Sequence, residues 1–466
     1  MFINFNDKDF RLLFIFFLLY NFIYNIEVII PFTSKISEIS KNLSPIDFIK
    51  SLISNELYTN ISIGTPPQNL NFTIDFNTYH TYIIQEMSKK YERFNYNKSS
   101  TFKFVGKKEL FQYADFILGI NSSDLITINE NATNINYTFL HVIKSLKETK
   151  VELPGVIGFS VVSNWEPFHK EASIIYQLKK ENITNNYIYT IVFNNNDFNG
   201  KIIIGKNIYE NYPSDNFMKD YCLVNHQYAY LWGWNYLQSY FNSEELKIEN
   251  IYLKPELGVI VVNNKIKDIL KQKFFEEKIK EGKCHEDFSK YTFFYCDKNV
   301  KIDIGNFTFI NKKKQIQFYL DSDDLSLEYN NNIYFLMVFD IKISSMDAHF
   351  GYPFFKKFDV IFDQDSRNVG FYNFKINNEK ENNNINNNID NNNFDNNNIE
   401  NNRRKNEEIN NQKKKYNNKI NLIKLLSVIS IILFIILSLY FIFYLYRRIK
   451  RKENEKIYEE YNYTLK

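Results

Sequence analysis

The chain has 466 residues, 44% of them hydrophobic and 17% aromatic, with a formal net charge of +3. That length and apolar share provide for one large core or two ordinary ones of about 150 to 200 residues each. The small net charge, and the lack of a basic stripe interleaved with aromatics in the folded part, exclude nucleic acid as an expected partner.

Residues 1–26 read as a signal peptide. After Lys8 and Arg11 comes LLFIFFLLYNFIYNI, with the length and position of a secretory h-region, although Asp7 and Asp9 dilute the positive start. An uncleaved anchor is the other reading of this stretch. Residues 27–55 follow as a short N-terminal extension.

From about Glu56 to Lys375 the chain reads as many short strands, among them ELYTNISIG, LNFTIDF, HTYIIQ, TFKFVG, DLITI, YIYTIVF, GKIIIG, KIDIGNFTFIN, IQFYL, YFLMVF, FDVIF and VGFYNF. They are rich in Ile, Tyr, Phe and Thr, alternate at period two and are separated by Asn, Asp, Gly and Pro turns, so the expected class is mostly β. Helical spacing of apolar positions predicts two helices, at EASIIYQLKKEN and at NKIKDILKQKFFEEKIKEG.

Residues 376–424 are Asn-rich and poor in apolar side chains. Such a segment buries too little to offset the entropy of ordering and is expected to be a disordered spacer. Leu425–Tyr446 carries no charge and is long enough to cross a hydrocarbon core of about 30 Å as a helix. The basic flank RRIKRK assigns residues 447–466 to the cytosol, giving a single-pass type I topology. The lipid bilayer is thus one expected partner, with the ectodomain in the secretory lumen, a vesicle or outside the cell.

Cys284 and Cys296 frame the loop CHEDFSKYTFFYC and are the expected disulfide in such a compartment, leaving Cys222 over. His285, Glu286 and Asp287 lie side by side rather than at ligand spacing, so neither a metal nor a cofactor is expected. Sequons at Asn60, Asn71, Asn97, Asn121, Asn131, Asn136, Asn182 and Asn306 permit glycosylation.

The phrase ELYTNISIGTPPQNLNFTIDFNT resembles the opening of pepsin-like aspartic peptidases, which run through I-G-T-P-P-Q to a catalytic D-T/S-G turn. Further pieces are similar in order: YNKSSTF, the FILG of a flap hairpin, ELPGVIGFS, GKIIIG, and the closing HFGYPFFKKFDVIFDQDSRNVGFYNF. The resemblance implies a bilobal fold, with an N-terminal lobe over residues 56–205 and a C-terminal lobe over 206–375. It also makes residues 27–55 a candidate pro-segment, although few of their residues are basic.

In that family two carboxylates, one from each lobe, share a proton. One activates a water and the other donates to the scissile carbonyl. The resemblance assigns Asp75 to the first acid and Thr78 to a supporting hydroxyl, with Phe76 where Thr or Ser is usual and Asn77 where Gly is usual. For the second acid the matching phrase is read as GVIVVNNKIKDIL, which sets Val262 at the acid's position, Asn263 at the Thr and Asn264 at the Gly. Asp268 is the nearest acid and reads as part of a solvated helix face. Phe111 and Tyr113 are candidates for the flap aromatic in a shortened flap.

The expected function is therefore a membrane-anchored, catalytically inactive relative whose interlobe cleft binds a peptide or protein. Two alternatives stand beside it: an active endopeptidase using Asp75 with an acid from elsewhere, and an adhesion or structural ectodomain.

Overall fold

A computed structural model describes residues 27–372, apart from 39–42, 85–92, 112–116, 130–131, 146–153, 162–172, 195–196, 208–216, 222–223, 227–228, 236, 243, 289, 302 and 312–315. The expected signal peptide, spacer, membrane segment and tail, together with Cys222, Tyr113 and Asn131, lie outside the described residues. Among the described residues, no helix is long and apolar enough to cross a membrane.

The described residues fall in one compact unit, Asn25–Asn383, built mostly of β-strands. This is the sheet-rich architecture expected of a bilobal pepsin-like fold. The strands that position the site are Val28–Ser34 (β1), Leu57–Ile63 (β2), Gln68–Asp75 (β3), Tyr82–Ile84 (β4), Lys103–Phe111 (β5), Ile117–Thr127 (β6), Ile135–Ser145 (β7), Gly155–Gly158 (β8), Ile188–Phe193 (β9), Gly200–Ile204 (β10) and Phe217–Tyr221 (β11). Later in the chain come Asn250–Leu253 (β12), Ile260–Asn263 (β13), Met337–Asp340 (β14), Asp347–Phe350 (β15), Asp359–Asp363 (β16) and Asn368–Tyr372 (β17).

One 13-stranded sheet runs β11-β17-β16-β9-β10-β1 and continues β2-β3-β8-β4-β7-β6-β5. A 9-stranded sheet of the C-terminal half holds β12-β15-β13-β14 in that order. Alternation decides which faces are covered: in β1 the side chains of Val28, Ile30, Phe32 and Ser34 are buried and those between them are not. Aromatic residues fill the core of the C-terminal half, where Trp234 packs on Phe318, Phe354 and Phe371 at ring distances of 5.7, 5.6 and 5.5 Å.

The predicted helix at residues 171–182 forms over Ile174–Lys180. The longer one forms as Asn264–Leu270 and Glu276–Lys280 around a single π-turn at Lys271–Phe275. Cys284 and Cys296 face each other on paired strands and are joined as the expected disulfide.

Two elements inside residues 27–55 were not read from the sequence. β1 pairs with β10 from Val28↔Ile204 to Phe32↔Gly200 and with β2 at Thr33 and Ser34. Pro45–Ile53 forms a helix (α1), started by Pro45 and by the Ser44 hydroxyl, which accepts from the Asp47 N–H at 3.2 Å. Phe48, Ile49 and Leu52 make its buried face, and Phe48 stacks on Tyr329 at 3.9 Å. These residues are woven into both halves of the fold. Phe48→Ala should cost about 3 to 5 kcal/mol in urea unfolding, and a chain beginning at Glu56 should lose its cooperative transition. A truncated chain that melts like the full one would return residues 27–55 to a detachable segment.

Candidate functional site

Asp75 ends β3, and the turn after it is tied back by its own carboxylate. Oδ1 accepts from the Asn77 backbone N–H at 2.7 Å and from the Asn77 side-chain nitrogen at 2.9 Å, a local closure of the kind Asp favours. The Thr78 hydroxyl accepts from the His80 N–H at 3.2 Å and so braces the next turn. Phe76 points inward, 2% exposed, with its ring 5.9 Å from that of Phe159. The Phe159 N–H donates to the Asp75 carbonyl at 2.8 Å, while the Phe159 carbonyl accepts from Tyr189 Oη at 2.5 Å and Trp232 Nε1 at 3.1 Å.

The two halves repeat one arrangement. β3 pairs in parallel with β8, β8 antiparallel with β4, and β4 in parallel with β7. β12 pairs in parallel with β15, β15 antiparallel with β13, and β13 in parallel with β14. Register then identifies corresponding residues. Asp75 lies opposite Gly158, and Tyr82, seven residues on, lies opposite Val156. Leu253 lies opposite Phe350, which brings Lys254 to Gly351, and Val261, seven residues beyond Lys254, lies opposite His349. The counterpart of Asp75 is Lys254.

The glycines repeat the relation independently. A Cβ on Gly158 would lie 2.4 Å from the Thr78 carbonyl oxygen, three residues past Asp75. A Cβ on Gly351 would lie 2.2 Å from the Leu257 carbonyl oxygen, three residues past Lys254.

This register moves the second-acid position away from Val262. Val262 sits on β13 opposite Ala348, fully buried, as Ile83 sits on β4 opposite Gly155. Asn263 caps the following helix, its side chain accepting from the Lys265 N–H at 3.0 Å, and Asn264 is that helix's first residue. Asp268 is exposed on the helix, as expected. The Val-Ile-Val-Val run imitates the expected apolar approach to a polar turn, but it is the strand after the turn. Lys254, Pro255 and Glu256 were the residues missed. Their signal was the repeat of a strand, a polar turn and a second strand at the N-terminal half's own spacing of seven.

The two turns meet. The Lys254 amine donates to Asn77 Oδ1, and the Asn77 side-chain nitrogen donates to Glu256 Oε1 at 3.2 Å. Lys254 is 8% exposed. Glu256 Oε2 is buried without a hydrogen-bond partner among the described residues. Burial holds the Glu256 carboxyl above the ordinary carboxylate range; Lys254 pulls it back and Asp75 pushes it further up. Pro255, also buried, is the counterpart of Phe76. α1 supports this turn from the other side. The Gly258 N–H donates to the Leu52 carbonyl at 2.8 Å, and Asn55 Nδ2 donates to the Glu256 carbonyl at 2.9 Å.

Phe111 closes β5 opposite Ile117 of β6. Among the described residues no group of three or more His, Cys, Asp or Glu is placed to hold a metal ion. In chemical terms the site offers one carboxylate, one carboxamide, one amine and one enclosed carboxyl within a few hydrogen bonds. A family model described as eukaryotic aspartyl protease matches residues 56–374. No curated protein matches the chain.

Proposed function

Since the chain belongs to the eukaryotic aspartyl protease family over residues 56–374, we propose that it is a membrane-anchored member whose interlobe cleft binds peptide or protein segments without cutting them. The observation that carries this reading is Lys254. The family's chemistry, taken over from the resemblance, needs a second carboxyl that shares a proton with the first and hands it to the scissile carbonyl. An amine tied to Asn77 offers no carboxyl at that position. Loss of general acid-base assistance alone is worth about 10² to 10⁴ in rate.

The supporting hydroxyls are altered as well. Phe76 and Pro255 stand where the family has Thr or Ser, so the cross-axis hydroxyl pair that holds the acids is replaced by apolar groups. The resemblance implies a cleft between the lobes that takes an extended peptide, held by strand addition and side-chain pockets. The uncharged run Leu425–Tyr446 and its basic flank support a type I arrangement. The Cys284–Cys296 disulfide supports an oxidising side for the ectodomain.

One observation favours a second reading, an active endopeptidase. Glu256 is an enclosed acid linked to Asp75 through a single carboxamide, and its raised pKa suits a proton donor.

A diverse peptide library incubated with the purified full chain from pH 3 to 7 tests both. The expected outcome is no cleavage above that of Asp75→Ala. Cleavage abolished by both Asp75→Ala and Glu256→Gln would replace the binding reading with the second one.

A further inference from the structure

Beyond any role in the cleft, the two site turns hold the components of an amide exchange. The Lys254 amine approaches the carbonyl side of the Asn77 carboxamide, contacting Oδ1. On the nitrogen side of the same carboxamide stands Glu256, whose Oε1 accepts from Asn77 Nδ2 at 3.2 Å. A nucleophile, an electrophilic carbon and a carboxyl group at the leaving nitrogen are thus held together across the junction of the two halves. We propose that Lys254 and Asn77 join in the folded protein as an isopeptide bond, with Glu256 carrying the proton to the departing nitrogen.

The step balances without a co-reactant. The Lys254 ammonium gives a proton to the Glu256 carboxylate through the Asn77 carboxamide, which accepts from Nζ at Oδ1 and donates from Nδ2 to Oε1, and the freed lone pair forms an Nζ–Cγ bond at Asn77. The tetrahedral carbon regains its carbonyl by breaking the Cγ–Nδ2 bond. Nδ2 takes a proton from the attacking nitrogen, relayed through Glu256, and leaves as ammonia. Ammonia accepts the remaining proton from Glu256 and departs as ammonium. One ammonium and one primary amide become one ammonium and one secondary amide, with no change of oxidation state.

Two features favour the reaction here. Held reactants behave as though at about 10⁵ to 10⁸ M when their geometry is right, which is what an otherwise slow aminolysis of an amide requires. Burial also raises the Glu256 pKa, as a relay that must hold a proton in mid-reaction requires. The bond would tie the turn after β3 to the turn after β12, the junction where Phe76 and Pro255 leave no hydroxyls to do so.

Proteolytic digestion of the natively purified full chain, followed by mass spectrometry, tests the proposal. The expected result is a branched peptide joining the segment with Asn77 to the segment with Lys254, lighter than their sum by one ammonia. Asn77→Ala and Glu256→Ala should yield only the separate linear peptides. Recovery of unmodified linear peptides containing Asn77 and Lys254 from the folded wild-type chain overturns the bond. A branched peptide that persists in Glu256→Ala overturns the relay assigned to Glu256. Hydrolysis is scored separately, so failure of the bond leaves the binding reading as it stands.

Discussion

Gly351→Ala should unfold the protein or cost 3 kcal/mol or more (about the top of the overpacking range), and Gly158→Ala should do nearly the same. The added Cβ at position 351 would lie 2.2 Å from the Leu257 carbonyl oxygen and 2.5 Å from that of Val259. At position 158 it would lie 2.4 Å from the Thr78 carbonyl oxygen, 2.6 Å from the Tyr79 carbonyl carbon and 2.7 Å from the His80 nitrogen. These are backbone atoms, which cannot turn aside as a flexible side chain does. To admit the methyl, each site turn must lift from the strand beneath it. Lys254 or Asp75 would move with it.

Gly282→Ala is the comparison, because nothing lies within 4 Å of the added Cβ there and only its φ of +72° is unfavourable. That strain is worth about 1 to 2 kcal/mol. Urea midpoints of the three variants decide the matter. If Gly158→Ala and Gly351→Ala melt no earlier than Gly282→Ala, the two turns do not pack as equivalent partners, and the assignment of Lys254 as the counterpart of Asp75 loses its second support.

The next largest effect should come from Lys357→Met, and it should depend on pH. Lys357 is 4% exposed, with its amine 2.5 Å from Asp324 Oδ2, 3.2 Å from Asp321 Oδ2 and 4.1 Å from the centre of the Tyr319 ring. Removing one partner of such a buried group costs about 3 to 5 kcal/mol, because the other charges remain without compensation. Burial raises the Asp324 carboxyl to about 6, against the pull of Lys357.

A raised carboxyl favours the folded state while it is protonated. The contribution of Asp324 is therefore complete below its unfolded value of 3.8 and is lost as pH rises through about 6. At about 1.4 kcal/mol per pKa unit the swing is about 3 kcal/mol. Wild-type stability should fall between pH 4 and 7 on this account, and Asp324→Asn should flatten the fall. Lys357→Met should be more damaging at pH 7 than at pH 4, where the Asp324 carboxyl it leaves behind is largely neutral. An equal loss at both pH values would show that packing, not charge, is what Lys357 supplies.

Much of the fold is legible in local pattern. The period-two strands, the helix closed near Gly282, the Cys284–Cys296 pair and the turn at Asp75 are each fixed by neighbours a few residues away. α1 had its signals too: Ser44 and Pro45 at the start, and Phe48, Ile49 and Leu52 at helical spacing. Its reading was obscured because residues 27–55 occupy the place of a pro-segment. β1 was missed for a different reason. A single apolar stretch does not reveal that its partner is β10, far along the chain.

By itself the sequence determined the mostly β class and the family and put Asp75 forward as the first acid, because those depend on short ordered phrases and on period. The partner of that acid was decided only by the tertiary structure. Between Asn250 and Asn264 an apolar strand followed by a polar turn occurs twice, as NIYL-KPE and as VIVV-NN. Periodicity scores the two alike. What separates them is which strand lies parallel to β15 with the residue after it beside Gly351, and that is a matter of register between segments almost a hundred residues apart. Only there does Lys254 come to face Asn77 across 177 residues of sequence, with an amine where the family's chemistry calls for an acid.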